Sequence, residues 1–412
     1  MAVSTAVRPA INRVRTGSVL LGPAFVAAVA YVDPGNVASN VSAGAQFGYL
    51  LVWVIVVANV MAGLVQYLSA KLGLVTGMTL PEAVRTRTGR GTRLAYWGQA
   101  ELVAMATDLA EVVGGAIALY LLFDLPMLIG GLITGAVSMA LLLVQDRRGQ
   151  RQFERAITGL LGVIAVGFLA SVFVDPPSVP HTIGGLIPRF HGAESVLLAA
   201  AMLGATVMPH AVYLHSGLAR DRHGHPEAGA PRRRLLRATR LDVMLAMLLA
   251  GAVNLAMLLL AANTLRGQGI TSIEGAHAAV GASLGSVVAL LFALGLLASG
   301  FASTSVGAYA GAMIMQGLLG QRIPLLLRRL ITLVPAIAIL GLGVDPTRAL
   351  VVSQVVLSFG IPFALVPLVR LTSDRIFMGA DVNHRVTSAL AWLVAGLIIL
   401  LNGALIYLTV AG

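Results

Sequence analysis

The chain has 412 residues, of which 58% are hydrophobic and only 11% charged. Soluble domains carry roughly 25% charge, so this balance excludes a soluble globular enzyme and a disordered chain and points to a polytopic helical membrane protein. Cysteine is absent, which excludes disulfides, thiolate metal sites and sulfur redox chemistry, and the net charge of +11 becomes a question of where the arginines fall.

Apolar runs bounded by charged or Pro/Gly-rich breaks predict eleven membrane helices. They lie near 17–45, 48–74, 94–122, 126–145, 157–174, 194–219, 240–262, 285–316, 325–344, 346–370 and 387–410. The runs are continuous rather than alternating, so a β-barrel is excluded. With the N-terminus in the cytoplasm, 25 of the 28 basic residues fall on the cytoplasmic side. Only Arg189, Arg266 and Arg348 are left for the other face, a strong positive-inside bias that puts the C-terminus outside. Topology thus accounts for the basic surplus without nucleic acid. Residues 1–30 also have the basic start, apolar run and Ala28-Val29-Ala30 ending of a secretory signal. Cleavage there would remove half of the first run, so the stretch is read as a span.

In the first run, Asp33-Pro34-Gly35-Asn36 interrupts the apolar sequence at mid-depth. Proline lacks an amide N–H and glycine loosens the backbone, so the helix is expected to open there. Such a break survives in a membrane only where it lines a cavity or is buried in protein. The third run carries Glu101, Asp108 and Glu111 at spacings of seven and three, which place them on one interior-facing stripe suited to a proton relay. With Asp33 they are the four acids well inside the runs. The sixth run breaks again, at Gly204-Ala205-Thr206-Val207-Met208-Pro209-His210. Five spans separate the two breaks, and an odd number per repeat inverts the second half. The expected organisation is an inverted repeat of spans 1–5 (about 17–174) and 6–10 (about 194–370), with 387–410 peripheral, in one transmembrane domain.

An Asp at such a break implies a cationic substrate. Asp33 and Asn36 offer hard oxygen, Ala30 and Ala205 offer carbonyls where their helices unwind, and Met208 offers soft sulfur. Magnesium and calcium favour all-oxygen shells, whereas carboxylate, carbonyl and thioether together suit Mn(II) or Fe(II) and admit Cd(II). Arg329, behind Arg328 at the start of the ninth run, is the natural counter-ion for Asp108. His210 stands beside the second break as a group that titrates near neutral pH. A purely structural salt-bridge network is the alternative for Asp108 and Arg329, and equally for Glu101 and His215. Arg328 is read as an anchor at the cytoplasmic edge, and His223 and His225 as a solvated loop.

The two break motifs, in these two helices, resemble those of the NRAMP-type divalent metal transporters over nearly the whole chain. The resemblance implies an all-α membrane protein of LeuT-like fold with broken helices 1 and 6. It implies proton-coupled import of manganese and iron by alternating access across a bacterial plasma membrane, without cofactor or obligate protein partner. It matches Ala30, Asp33, Asn36, Ala205 and Met208 to the metal ligands, Gln354 to a polar residue that approaches the metal, and Thr206 to a weaker candidate. It also places the proton route among Asp33, His210, Asp108, Glu111, Glu101 and Arg329. Two rivals are an amine carrier on the same scaffold, for which Met208 has no role, and an intramembrane enzyme, which no HExxH helix or Ser/His pair supports.

Overall fold

The computed structural model describes residues 22–148, 150–270, 272–321 and 324–411, and every regular element among them is helical. Arg8, Arg13, Arg15, Arg322 and the start of the first run lie outside these residues. The first run becomes α1 (Pro23–Val29), a 3-10 turn at Ala30–Val32, and α2 (Pro34–Phe47). Next come α3 (Val52–Thr76), α4 (Leu80–Arg87), α5 (Arg90–Phe123), α6 (Met127–Arg148), α7 (Gln150–Val174) and α8 (Val179–Gly184). The sixth run is also split, into α9 (Gly192–Thr206) and α10 (Pro209–His223). The chain continues through α11 (Ala230–Thr264), α12 (Ile273–Leu284), α13 (Ser286–Leu319), α14 (Leu325–Gly341), α15 (Pro346–Thr372), α16 (Arg375–Met378) and α17 (Arg385–Ala411).

Within the described residues, all eleven apolar runs fall on helix, apart from the two breaks and a few end residues, chiefly 342–344 beyond the end of α14. By length and apolarity, eight helical stretches are able to cross a membrane, and two shorter apolar ones, Pro23–Val32 and Met127–Leu143, accompany them. The short helices α4, α8, α12 and α16 were not anticipated from the apolar runs. A local signal for α4 was present in Thr79-Leu80-Pro81-Glu82. Thr79 accepts from the Glu82 amide, and Glu82 accepts from the Thr79 amide at 2.8 Å, a complete capping box. The signal-like Ala28-Val29-Ala30 is fully packed into the core.

Helices approach closely where both faces are small. An added Cβ on Gly300 would stand 3.0 Å from the Gly115 backbone, which lets α13 lie directly on α5. The α1–α2 unit packs on α11, and α2 also meets α9 and α15. Ion pairs join several helix ends and the segment before α17. Arg220 reaches Glu82 at 2.7 Å, Arg222 reaches Glu154 at 3.4 Å, Arg232 reaches Asp381 at 3.1 Å and Arg87 reaches Asp374 at 3.1 Å. These link the regions that the charge pattern had placed on a common side.

Candidate functional site

Asp33 is the N-cap of α2, with extended backbone (φ −74, ψ 170). Its Oδ1 accepts from the Asn36 amide at 2.7 Å, which ties the two ends of the motif together. Its Oδ2 is buried and has no hydrogen-bond partner, as is true of both Asn36 side-chain atoms and Gln354 Oε1. Buried polar atoms are normally paired, so orphans from three residues gathered at one place mark a site built for a ligand. Asp33, Asn36, Ala205, Met208 and Gln354 all have no exposed surface, and Ala30 has 1%.

Proline explains the carbonyls. In a continuous helix the carbonyl of residue i accepts from the amide of i+4. Pro34 and Pro209 have no such amide, so the helical bond to Ala30 and to Ala205 cannot form. The neighbouring carbonyls in the first break are occupied instead. Asn254 Nδ2 donates to Tyr31 O at 2.7 Å, and Ser299 Oγ donates to Val32 O at 2.6 Å. Side chains from α11 and α13 therefore hold the 3-10 turn in place.

The two breaks meet at α15. A Cβ on Gly35 would run into the Gln354 side chain, and one on Gly204 into the Gln354 carbonyl. Gln354 thus touches the residue two beyond Asp33 and the residue four before Met208. The split helix α9 also packs on the Ala30–Val32 turn and on α2. The Thr206 hydroxyl donates to Met202 O at 2.7 Å within its own helix. No group of three or more His, Cys, Asp or Glu side chains forms a metal cluster among the described residues. The buried side chains at the two breaks and on Gln354 are instead of mixed chemistry, with one carboxylate, two carboxamides and one thioether.

The acids of α5 face inward as their spacing required. Asp108 forms an ion pair with Arg329, both side chains buried, and Arg329 Nε donates to Ser138 Oγ at 3.0 Å. Glu111 is buried against α13, where a Cβ on Gly307 would stand 3.1 Å from either carboxylate oxygen, and its Oε2 has no hydrogen-bond partner. His210 Nδ1 sits 3.3 Å from Thr107 Oγ1, its Nε2 has no partner, and Asp108 is its charged neighbour. The two arginines of α14 thus pair with two of the three acids of α5, Arg329 with Asp108 and Arg328 with Glu101. Arg328 corrects the expectation of an edge anchor. It is 4% exposed and binds Glu101 at 3.0 Å, because α14 packs into the groove between α5, α6 and α13 and both of its arginines turn inward.

His215 belongs to a different chain of bonds. Its Nδ1 meets Gln66 Oε1 at 2.6 Å, and Gln66 Nε2 donates to the Tyr31 hydroxyl. Gln66, Asn254 and Ser299 were not identified from sequence. Their available signal was polarity within an apolar run, a costly placement that calls for a partner. His225 docks its Nδ1 3.2 Å from Leu74 O.

These features define a multi-pass helical membrane protein built around two interrupted helices and a buried mixed donor set. Residues 24–408 match the natural resistance-associated macrophage protein-like (Nramp) family, and the chain belongs to it. The divalent metal cation transporter MntH of Mycobacterium tuberculosis is 70% identical over 399 residues, covering 97% of this chain and 93% of that protein. MntH of Bacillus subtilis is 48% identical, covering 94% and 91%. The crystal structure of the Eremococcus coleocola manganese transporter superposes with a TM-score of 0.82 at 32% identity, covering 98% of this chain and 87% of that one. Mhp1, a nucleobase-cation-symport-1 family transporter, shares the fold at 16% identity, with a TM-score of 0.59 over 95% of this chain.

Proposed function

We propose that the protein imports divalent transition-metal ions, Mn(II) first and Fe(II) or Cd(II) beside it, in symport with protons across a bacterial plasma membrane. The observation that carries this reading is the set of orphaned buried polar atoms on Asp33, Asn36 and Gln354 beside the first proline break, with the buried Met208 at the second. One carboxylate with neutral oxygens and a thioether matches a dication of intermediate softness better than magnesium or calcium. An amine substrate would leave Met208 without purpose, since a thioether is only a weak acceptor for an ammonium. The names of the relatives support the same substrate class.

The ion is held by Asp33, Asn36, Met208, the carbonyls of Ala30 and Ala205, and in some states Gln354. Alternating access is supported by the arrangement of the halves. The contacts of α2 with α11 correspond to those of α10 with α3, and those of α5 with α15 to those of α13 with α7. That correspondence is what a five-plus-five inverted repeat produces, with eleven spans, the N-terminus inside and the C-terminus outside. The proton leaves through the Asp33, Glu111, Asp108, His210 and Arg329 set, with Glu101 and Arg328 beyond it.

Radiolabelled Mn(II) uptake into proteoliposomes, with and without an inward proton gradient, tests the whole reading; saturable uptake that rises with the gradient is expected. Met208→Ala is expected to keep part of the Mn(II) uptake and to admit Ca(II) or Mg(II), because water replaces the sulfur. Unchanged selectivity removes the thioether argument. Gly35→Ala puts a methyl group where the Gln354 side chain lies. It is expected to raise the KM for Mn(II) about tenfold without unfolding the protein, a typical loss when a ligand's supporting shell shifts.

A further inference from the structure

The same proline rule that frees the Ala30 and Ala205 carbonyls applies to α15, which contains Pro362 and Pro367. Four residues back, the carbonyls of Ser358 and Phe363 lose their helical donors. Here each is filled from another helix. Asn402 Nδ2 of α17 donates to Ser358 O at 2.9 Å, and the Tyr213 hydroxyl of α10 donates to Phe363 O at 3.1 Å. Asn402 uses its other end as well, accepting from Ser358 Oγ at 2.6 Å. Both residues of that pair are buried, and Asn402 is the polar member of an inner α17 face otherwise made of Ala391, Val394, Ala395, Ile398 and Leu405. An amide at such a place is costly unless it has specific work.

The position of the braced turn gives that work. Ser358 is four residues beyond Gln354, one helical turn along α15. A Cβ on Gly204 would stand 2.8 Å from the Ser358 amide, besides meeting the Gln354 carbonyl. The turn closed by Asn402 is therefore also the wall on which the second broken helix rests. Opening it moves Gln354 relative to Gly35 and to the break before Met208.

We propose that Asn402 is a positioning residue, supplying the donor that Pro362 cannot, and so fixing the Gln354 turn against the two breaks. This gives the eleventh apolar helix, read from sequence as peripheral, a role at the site. The proposal rests on the reading of Gln354 as facing the metal, and its test separates the two.

The chain has no cysteine, so Gln354→Cys provides a single reporter thiol. Its labelling by a small methanethiosulfonate reagent is expected to be slow, and about tenfold faster when Asn402→Leu is added, since an unpaired buried carbonyl favours local opening. In a Pro362→Ala background the helix regains its own donor, and Asn402→Leu is expected to change the labelling rate by less than about twofold. With Gln354 intact, Asn402→Leu alone is expected to raise the KM for Mn(II) uptake about tenfold, again with rescue by Pro362→Ala. Labelling that is unchanged by Asn402→Leu, or accelerated equally in both backgrounds, overturns the proposal, as does a KM that does not move. If the unsubstituted protein shows no saturable Mn(II) uptake, the transport reading fails, while the labelling comparison still decides whether Asn402 holds the turn.

Discussion

Asp33→Asn is expected to lower Mn(II) uptake by more than about 100-fold while leaving the folded protein nearly as stable as before. Loss of supporting contacts around a metal costs about 10- to 100-fold in affinity, and loss of the sole carboxylate ligand is a larger change. The two carboxylate oxygens have separate tasks, which is why one substitution divides them. Oδ1 caps α2 through the Asn36 amide, and Oδ2 has no protein partner. Asparagine is as good an N-cap as aspartate, so the helix start is retained. What disappears is the charge that compensates for stripping water from a dication. Asp33→Ala removes both tasks, and its stability is expected to fall by the additional cost of a lost cap, about 0.5–2 kcal/mol, read as a lower thermal midpoint. Uptake and thermal unfolding measured on both variants separate ligand from cap. If Asp33→Asn transports Mn(II) at the unsubstituted rate, the metal assignment at the first break is wrong.

The features legible in the sequence were those in which one residue type breaks a strong local pattern. A proline in the middle of an apolar run has few meanings, so both breaks and their carbonyls could be read directly. The α5 acids were legible because three carboxylates at spacings of seven and three cannot all face lipid. Other features depended on which neighbour a helix presents. A membrane helix is apolar on its lipid side as well as its protein side, so the contrast that orients helices in soluble proteins is nearly lost. Periodicity therefore gave no partner for Asn254, which holds the Tyr31 carbonyl, or for Asn402, which closes the Pro362 kink. Arg328 was misplaced for a related reason. Nearness to the end of a run suggests the interface, and only the packing of α14 shows that Glu101 draws it inside. Thr206 had the right position in the sequence, but its hydroxyl is engaged with Met202 O in its own helix.

Asp108→Asn is expected to destabilise the protein by about 3–5 kcal/mol, because it leaves the Arg329 guanidinium buried without a counter-charge. Arg329 has no exposed surface, and the other hydrogen bond it donates, from Nε to Ser138 Oγ, goes to a neutral hydroxyl. Arg329→Met on its own leaves the Asp108 carboxylate stranded instead, at a similar cost. The informative variant is the double substitution, Asp108→Asn with Arg329→Met. Replacing both members of a buried pair with neutral groups of similar size is often neutral for stability, so most of the thermal midpoint is expected to return. If the pair is only a structural clasp, transport should return with it. The proton-relay reading requires a different result. Mn(II) binding is expected to recover, because Asp33, Asn36 and Met208 are untouched, while the response of uptake to an inward proton gradient is expected to stay lost. Glu111 sharpens the comparison, since it is buried one helical turn from Asp108 on α5 and is not a member of the pair. Glu111→Gln leaves the Asp108–Arg329 pair in place, so it is expected to weaken the gradient response with a smaller change in midpoint than either single substitution in the pair. Recovery of gradient-driven uptake in the stable double variant would remove Asp108 and Arg329 from the proton route and leave them as structural support for α5 and α14.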